Sequence, residues 1–353
     1  MNASEQLRST QAWAEHVAPL YQPFTVRGLT LPNRIVMAPM GRMFGANGVL
    51  GEGNVDYYGR RAAGGTGLVI GEAVAVPHQA AIQTSTGSYI HGEPYVGVWT
   101  RIAAAVRAAG GIFFPQLWHA GLLRYPSPHT DPLTTPHNPE VEPIGPSGMF
   151  IPHHLDPKDP VPPARQVVAP MTQADIDAVI DAFATAAVTA QQIGCHGIEI
   201  HGAHGYLIDQ FFWAETNRRS DQYGGSIANR SRFAAEIVRE IRHRVGEQFP
   251  IFFRYSLWKQ QNYGARLVQS PQELEQMLAP LVDAGVDLFD CSTRRFWEPE
   301  FGDSKLNVAG WTKKITGKPT MTVGSLGLEK DLDPGQQWQE LKAAANGQVV
   351  ASA

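Results

Sequence analysis

The sequence predicts an α/β fold of the TIM (β/α)8 barrel class, and two observations support this prediction. Short apolar runs rich in Val, Ile and Phe alternate with Ala-rich amphipathic segments, as in repeated strand and helix units. Polar residues follow nearly every apolar run, which is typical of a barrel that builds its site at the C-terminal ends of many strands. No Gly-x-Gly-x-x-Gly opens a helix after the first strand, which disfavours a dinucleotide-binding doubly wound sheet.

The spacing of apolar residues along the chain predicts the individual strands and helices. Strands are predicted at Arg34–Met40, Thr66–Val76, Ile112–Trp118, Gly197–His201, Pro250–Tyr255, Val286–Cys291 and Pro319–Gly324. Helices are predicted at Val55–Ala63, Val98–Ala109, Thr172–Ile193, Asn229–Val245, Pro271–Ala284, Asn307–Ile315 and Gln336–Ala345. Val349–Ala351 could open an eighth strand, but the sequence ends two residues later. The barrel is therefore expected to be truncated at or before strand eight.

A single domain over residues 1–353 is expected, because the length suits one barrel with an insertion. Residues 122–171 form that insertion, since they hold 13 of the 26 prolines and show no clean period. Ordered loops of this length tend to be functional, so we predict a rim or lid over the site. The alternative is a surface excursion without a role in the site.

Composition narrows the class of partner. The formal net charge is −4, so the chain has no excess of positive charge that would favour nucleic acid or an anionic membrane as a partner. The expected partner is a small-molecule substrate. Cys195 and Cys291 lie beside predicted strands, which indicates buried free thiols and suits a reducing compartment. The N-terminal residues lack the order of a signal peptide and no run of 18 apolar residues occurs, so a cytoplasmic location is expected.

The segment Ile198–Gln210 is the most informative part of the chain, because a short strand opens directly into His201, His204 and Tyr206. The two histidines can donate hydrogen bonds to an oxygen, and tyrosine can lend a proton that it regains from solvent. This combination suits reduction of a polarised double bond. A His-x-x-His pair can also be a metal site or a structural pair, although the residues between and after the histidines supply no third ligand.

Four motifs together resemble the Old Yellow Enzyme family of FMN-dependent NAD(P)H:flavin oxidoreductases and ene-reductases. The resemblance runs from Phe24 to about Gly327. Its motifs are Leu31–Met40, Gln116–Gly121, His201–Phe211 and Asn217–Phe233.

The resemblance implies that FMN lies across the mouth of the barrel. Pro39 and Met40 would pack along the flavin, Ala38 and Ala73 would offer backbone contacts, and Gln116 would bond the pyrimidine edge. Arg254 would face N1 and O2, where a cation favours the reduced state; a plain ion pair is the alternative for this arginine. Gly324 and Ser325 would supply half of the phosphate site.

The resemblance also implies the catalytic roles. His201 and His204 would hold the carbonyl or nitro oxygen of an α,β-unsaturated substrate, and Tyr206 would protonate its α-carbon. NADH or NADPH would give its hydride in the same cavity. Two loops, Tyr255–Tyr263 and Cys291–Phe301, are predicted to shape specificity.

The chain departs from the family pattern at two places. Gly41 stands where relatives commonly carry Thr or Cys, so a side chain that tunes the flavin is absent. No arginine follows the candidate eighth strand to meet the phosphate. The missing arginine leaves one alternative open, a catalytically impaired barrel with a binding or assembly role. The histidine pair leaves another, a barrel hydrolase or metal enzyme that uses His201 and His204. An unfinished barrel edge would also favour a homo-oligomer.

Overall fold

The computed structural model describes residues 15, 17–42, 48–84, 86–124, 138–152, 161–326 and 349–352. Within them, one sheet contains eight parallel strands that form the barrel and a ninth short strand, Ser88–Tyr89, that pairs parallel with Leu68–Ala75 at its C-terminal end. Their bounds are β1 Ile35–Met37, β2 Leu68–Ala75, β3 Ile112–Trp118, β4 Ile198–His204, β5 Ile251–Lys259, β6 Leu288–Ser292, β7 Thr320–Val323 and β8 Val349–Ser352. All seven predicted strands are confirmed, with ends that move by a few residues.

The sheet closes on itself through β8. This strand pairs with β7 through Met321 and Val349, and with β1 through Ala351 and Val36. Strand β1 in turn pairs with β2. The predicted TIM barrel is confirmed, and β8 is the last strand in the described part of the chain. The expectation of an open edge was wrong, because both sides of β8 are paired, so the edge gives no argument for a homo-oligomer.

Seven helices lie outside the ring in the described part of the chain. They are α1 Glu52–Ala63, α2 Tyr95–Ala108, α3 Gln173–Gln192, α4 Leu207–Phe212, α5 Ile227–Val245, α6 Pro271–Ala284 and α7 Val308–Thr316. Local chemistry sets several of their ends: the Ser270 hydroxyl accepts a hydrogen bond from the backbone of Glu273, and Gly285 ends α6 in the left-handed conformation. Helix α4 was not predicted from the sequence, and the helix predicted at Gln336–Ala345 lies outside the described residues.

Two apolar layers hold the barrel together. One lies between the strands and the surrounding helices, and the other fills the N-terminal end of the barrel interior. In the interior, Phe114 and Phe252 have ring centroids 4.8 Å apart. Gly197 makes room for them, because a Cβ at this position would overlap the Phe114 ring. An antiparallel hairpin, Phe24–Val26 with Leu29–Leu31, closes this end of the barrel.

The Pro-rich insertion is described only in part, since 125–137 and 153–160 lie outside the described residues. A short antiparallel hairpin pairs Met149–Phe150 with Arg165–Gln166. The insertion is tied to the barrel rim by the buried Arg124, whose guanidinium donates to the carbonyl of Ile82 and, at 2.6 Å, to the side-chain oxygen of Asn138.

Within the described ranges, none of the helices has the length and apolar character needed to cross a bilayer.

Both cysteines are buried free thiols, as predicted. Burial raises the pKa of Cys195 and of Cys291 to about 12, since the thiolate would lose its hydration in an apolar surrounding. We expect neither thiol to react measurably with a water-soluble disulfide reagent in the native protein at about pH 8. Both should react in denaturant. Rapid modification of the native protein, followed by absorbance, would contradict this burial.

Candidate active site

A polar band lies in the barrel interior directly above the apolar interior layer. Side chains alternate along a strand, so the residue two positions after an inward-facing apolar residue also faces inward. Phe114 is thus followed by Gln116, and Phe252 by Arg254. Glu199 pairs in register with Gln116. The same rule places Asp290 above Leu288.

The band contains two buried carboxyl groups and one cation. The Gln116 amide donates to Glu199 Oε1 at 2.8 Å, and Arg254 Nη1 lies 3.3 Å from Asp290 Oδ2. Burial and the neighbouring Asp290 raise the pKa of Glu199 well above its ordinary value, and burial raises that of Asp290, while Arg254 opposes both shifts. The ion pair weighed for Arg254 therefore exists, but its Nε and Nη1 have no hydrogen-bond acceptor in the described chain.

A cavity of about 260 Å³ opens above this band at the C-terminal ends of β1 to β4. Seven residues predicted for the site line it together: Pro39, Gly41, Ala73, Gln116, His201, His204 and Tyr206. Seven further residues complete the wall: Glu72, Gln83, Thr84, Thr86, Gly87, Trp118 and Gln260. Distant sequence segments therefore converge on one concave site, as the barrel fold requires.

His201 presents one ring nitrogen to the cavity. Its Nδ1 accepts a hydrogen bond from the backbone N–H of Ala203 at 3.3 Å, which places the proton of the neutral ring on Nε2. Burial, together with the nearby Arg254 cation, holds the pKa of His201 well below its ordinary value. A neutral imidazole with a free Nε2–H can donate one hydrogen bond to an oxygen in the cavity.

His204 is held by a hydrogen bond and by an aromatic contact. Its Nε2 lies 2.7 Å from Ser292 Oγ at the end of β6, and its ring packs on Trp258 with centroids 4.7 Å apart. If the Ser292 hydroxyl donates to Nε2, the proton of the neutral ring sits on Nδ1, which is then the free donor. Burial and the adjacent His201 keep the pKa of His204 well below its ordinary value.

Tyr206 completes the group of proton-handling side chains. Its ring lies 5.0 Å from the His201 ring and 5.3 Å, edge on, from Trp118, measured between centroids. Burial raises the pKa of Tyr206, and a hydrogen bond with Gln260 partly opposes the shift. The phenol is therefore protonated at neutral pH and can act as a proton donor.

Other predicted residues lie away from this cavity's wall. Ala38 belongs to the interior apolar layer, and Met40 follows it at the rim. Gly324 and Ser325 leave β7 and pack on the loop after β6, where Ser325 Oγ donates to the carbonyl of Arg294 at 3.0 Å. The segment that would follow them to the predicted phosphate site lies outside the described residues.

Glu72 is a wall residue that the sequence analysis missed. Its carboxylate accepts from the Tyr58 hydroxyl and from the backbone N–H of Arg42, both at 3.1 Å. The sequence contained a sign of this role, because Glu72 is a charged residue in the otherwise apolar run of β2. The same signal, a charged residue inside an apolar strand, could have found Glu199 and Asp290.

Metal ligands are not grouped in this site. Among the residues that the structure describes, no cluster of three or more His, Cys, Asp or Glu side chains could hold a metal ion.

Comparison with known proteins places the chain in a family of flavin-dependent oxidoreductases. The family model for the NADH:flavin oxidoreductase / NADH oxidase family matches residues 19–341. The chain belongs to this family.

Similar proteins of known name are reductases and oxidases. The chain is 34% identical over 321 residues to NADH oxidase of Thermoanaerobacter brockii, covering 88% of this chain and 45% of that protein. It is also 34% identical over 239 residues to 12-oxophytodienoate reductase 7 of Oryza sativa subsp. japonica, covering 65% of this chain and 56% of the relative. The chain thus spans about half the length of these relatives.

Solved structures share the fold over nearly the whole chain. The old yellow enzyme homologue from Zymomonas mobilis superposes with a TM-score of 0.75 at 25% identity, covering 94% of this chain and 88% of that one. Morphinone reductase in complex with tetrahydroNAD gives a TM-score of 0.73 at 25% identity, over 94% and 86% of the two chains.

The histidine pKa shifts have a direct spectroscopic consequence. Because both pKa values lie below the ordinary value of about 6.5, His201 and His204 bind protons only in more acidic solution and stay neutral between about pH 6.5 and 8. We expect nitrogen-15 NMR to show two neutral rings whose shifts do not change across this range. The same histidines should titrate near about pH 6.5 in the denatured chain. An imidazolium signal from either ring in the native protein at neutral pH would contradict the assignment.

Proposed function

We propose that this chain is an FMN-dependent oxidoreductase that takes hydride from NADH or NADPH and reduces the activated C=C bond of α,β-unsaturated carbonyl or nitro compounds. The observation that carries the proposal is the convergence of the His201 Nε2–H and the Tyr206 hydroxyl on one cavity whose wall includes Gly41, Ala73 and Gln116. Similar proteins named as reductases of 12-oxophytodienoate and cinnamate support a reductase.

The described residues fit the ring system of FMN. Two buried N–H groups of Arg254 lack an acceptor in the described chain, and the oxygens and N1 of a flavin pyrimidine ring are acceptors. The Gln116 amide lines the cavity, and Arg254 belongs to the buried polar band beneath it. Gly41 and Ala73 leave it unobstructed, since even a Cβ added at Gly41 would meet no atom within 4 Å. A flat, acceptor-rich ring therefore satisfies groups that the protein alone leaves unpaired.

FMN, when bound, would supply the redox chemistry by accepting a hydride from NAD(P)H and passing it to the substrate's β-carbon. Arg254, Gln116 and Pro39 would hold its ring, and Arg254 would favour its reduced form because negative charge collects at the pyrimidine edge. Gly324 and Ser325 would contribute backbone N–H groups to its phosphate.

The histidines would orient and polarise the substrate. As hydride reaches the β-carbon, negative charge grows on the carbonyl or nitro oxygen, and a preformed donor such as His201 Nε2–H stabilises it. His204 would be the second donor through Nδ1 once Ser292 holds Nε2. Both rings are neutral, so they donate hydrogen bonds without transferring their protons.

Tyr206 would complete the reduction. Its hydroxyl proton would pass to the α-carbon, forming the new C–H bond and leaving a phenolate that solvent reprotonates. The raised pKa keeps the proton on the oxygen until the substrate carbanion develops. Trp118 packs against the ring edge and limits its movement.

Cofactor binding is the first test. We expect the purified protein, or the protein mixed with FMN, to show flavin absorption at about 450 nm that bleaches under anaerobic NADH or NADPH. The nucleotide that bleaches it faster names the donor. A protein that stays colourless with added FMN would reject this function and favour a binding or assembly role.

Tyr206→Phe separates the two half-reactions. Loss of a positioned proton donor should slow reoxidation by an enone by about 10²–10⁴-fold, because the α-carbon then waits for a proton from solvent. Flavin reduction by NAD(P)H needs no such proton and should keep its rate. Stopped-flow absorbance of each half-reaction measures both, and equal slowing of the two would contradict the role of Tyr206.

A further inference from the structure

A buried ion pair that the proposed chemistry does not use lies directly behind the turn at the end of β4. Lys259 Nζ lies 2.7 Å from Asp209 Oδ1, and neither side chain has any solvent exposure. The ammonium also lies 3.4 Å from the backbone oxygens of Ser256 and Trp258. All of its hydrogen bonds are therefore made within the protein.

The second oxygen of this carboxylate holds the turn itself. Asp209 Oδ2 accepts a hydrogen bond from the backbone N–H of Gly205 at 2.6 Å. Lys259 stands opposite His204 in the pairing of β5 with β4, after a shift in strand register. One carboxylate thus joins the end of β5, the start of α4 and the turn that carries the site residues.

The turn needs such support because its backbone is unusual. His204 has a φ of 65° and Gly205 a φ of 84°, so two consecutive residues adopt the left-handed conformation. A residue with a Cβ pays a steric cost there, and the conformation persists only where surrounding bonds impose it. Besides the bond from Gly205 to Asp209, the N–H of His204 donates to Ser256 Oγ at 3.0 Å.

The charge on Asp209 matters for the strength of this support. A carboxylate accepts a stronger hydrogen bond from a backbone N–H than a neutral carboxyl group does. Burial raises the pKa of Asp209, and Lys259 opposes this shift. A buried ion pair adds little net stability, because the cost of desolvation offsets the attraction. The role of this pair is therefore better explained by the geometry that it holds than by the stability that it adds.

We propose that Lys259 and Asp209 are positioning residues: together they hold the left-handed turn at His204 and Gly205, and so set the His204 ring and the Tyr206 hydroxyl at the cavity. The reductive role of these two side chains rests on the function proposed above. Tyr206 follows the turn directly and forms the N-cap of α4, so a displaced turn displaces its side chain as well.

The first arm of the test measures the turn and needs no turnover. Amide hydrogen exchange over residues 201–207 should become about tenfold faster in Asp209→Ala and in Lys259→Met, the effect of losing one charge-assisted hydrogen bond. Asp209→Asn keeps the side-chain volume and one acceptor oxygen, so its exchange should rise less. Asp209→Asn also replaces either of the other variants in the exchange measurement if that variant does not fold.

Arg242→Met is the matched control. Arg242 forms a second buried pair with Asp287 at 2.7 Å, at the opposite end of the barrel. Its loss also takes a cation from a buried carboxylate, but Asp287 keeps Arg27 as a second cation, so the protein should be destabilised to a smaller extent. Exchange over residues 201–207 and both half-reactions should stay unchanged in this variant.

The second arm measures whether the pair acts through Tyr206. Asp209→Ala should slow enone reduction by about 10²-fold, as expected for a displaced catalytic group, and leave flavin reduction by NAD(P)H unchanged. In a Tyr206→Phe background the same substitution should have a smaller effect, because one of the two groups that it positions is already gone and only the part that acts through His204 remains.

Three results would overturn the proposal. One is unchanged exchange at the turn in Asp209→Ala and Lys259→Met, and another is equal slowing of both half-reactions. The third is a full, additive effect of Asp209→Ala in the Tyr206→Phe background. If the wild-type protein reduces no enone, the proposed function fails, and the exchange arm still decides whether the pair holds the turn.

Discussion

The parallel pairing of the eight barrel strands is the constraint on which the site depends. It aligns the C-terminal ends of the strands at one edge, and the two-residue period then points every second side chain inward. Gln116, Glu199, Arg254 and Asp290 form a polar band for this reason, although they come from four separate segments. The short strand β8 completes the ring by pairing with both β7 and β1.

Burial sets the protonation of the site. The same loss of hydration keeps His201 and His204 neutral, keeps the Tyr206 proton in place and raises the pKa of the two interior carboxyls. Neutral donors and a protonated phenol are the forms that polarise an oxygen and then deliver one proton. Two N–H groups of Arg254, just beneath the cavity, have no hydrogen-bond acceptor among the described residues, so a ligand with acceptor atoms would satisfy them.

Around this polar site the supporting bonds are themselves polar and buried. Ser292 fixes one nitrogen of His204, and Asp209 fixes the N–H of Gly205. Forming such bonds requires the desolvation of polar groups. Hydrogen bonds are directional, however, and apolar packing alone is not. The left-handed turn at the end of β4 needs such directional bonds, because an unfavourable backbone conformation persists only when several bonds together impose it.

The sequence by itself determined the barrel class, the positions of seven strands and the family motifs, because these depend on local hydrophobic period and on contiguous residues. It also indicated which histidines and which tyrosine would meet the cavity, since they follow one strand directly. Only the tertiary structure decided the closure by β8, the partners of Glu72 and Asp290, the commitment of His204 to Ser292 and the pairing of Lys259 with Asp209. Those contacts join residues far apart in the chain, and their geometry follows from strand register and side-chain direction, which hydrophobic period does not encode.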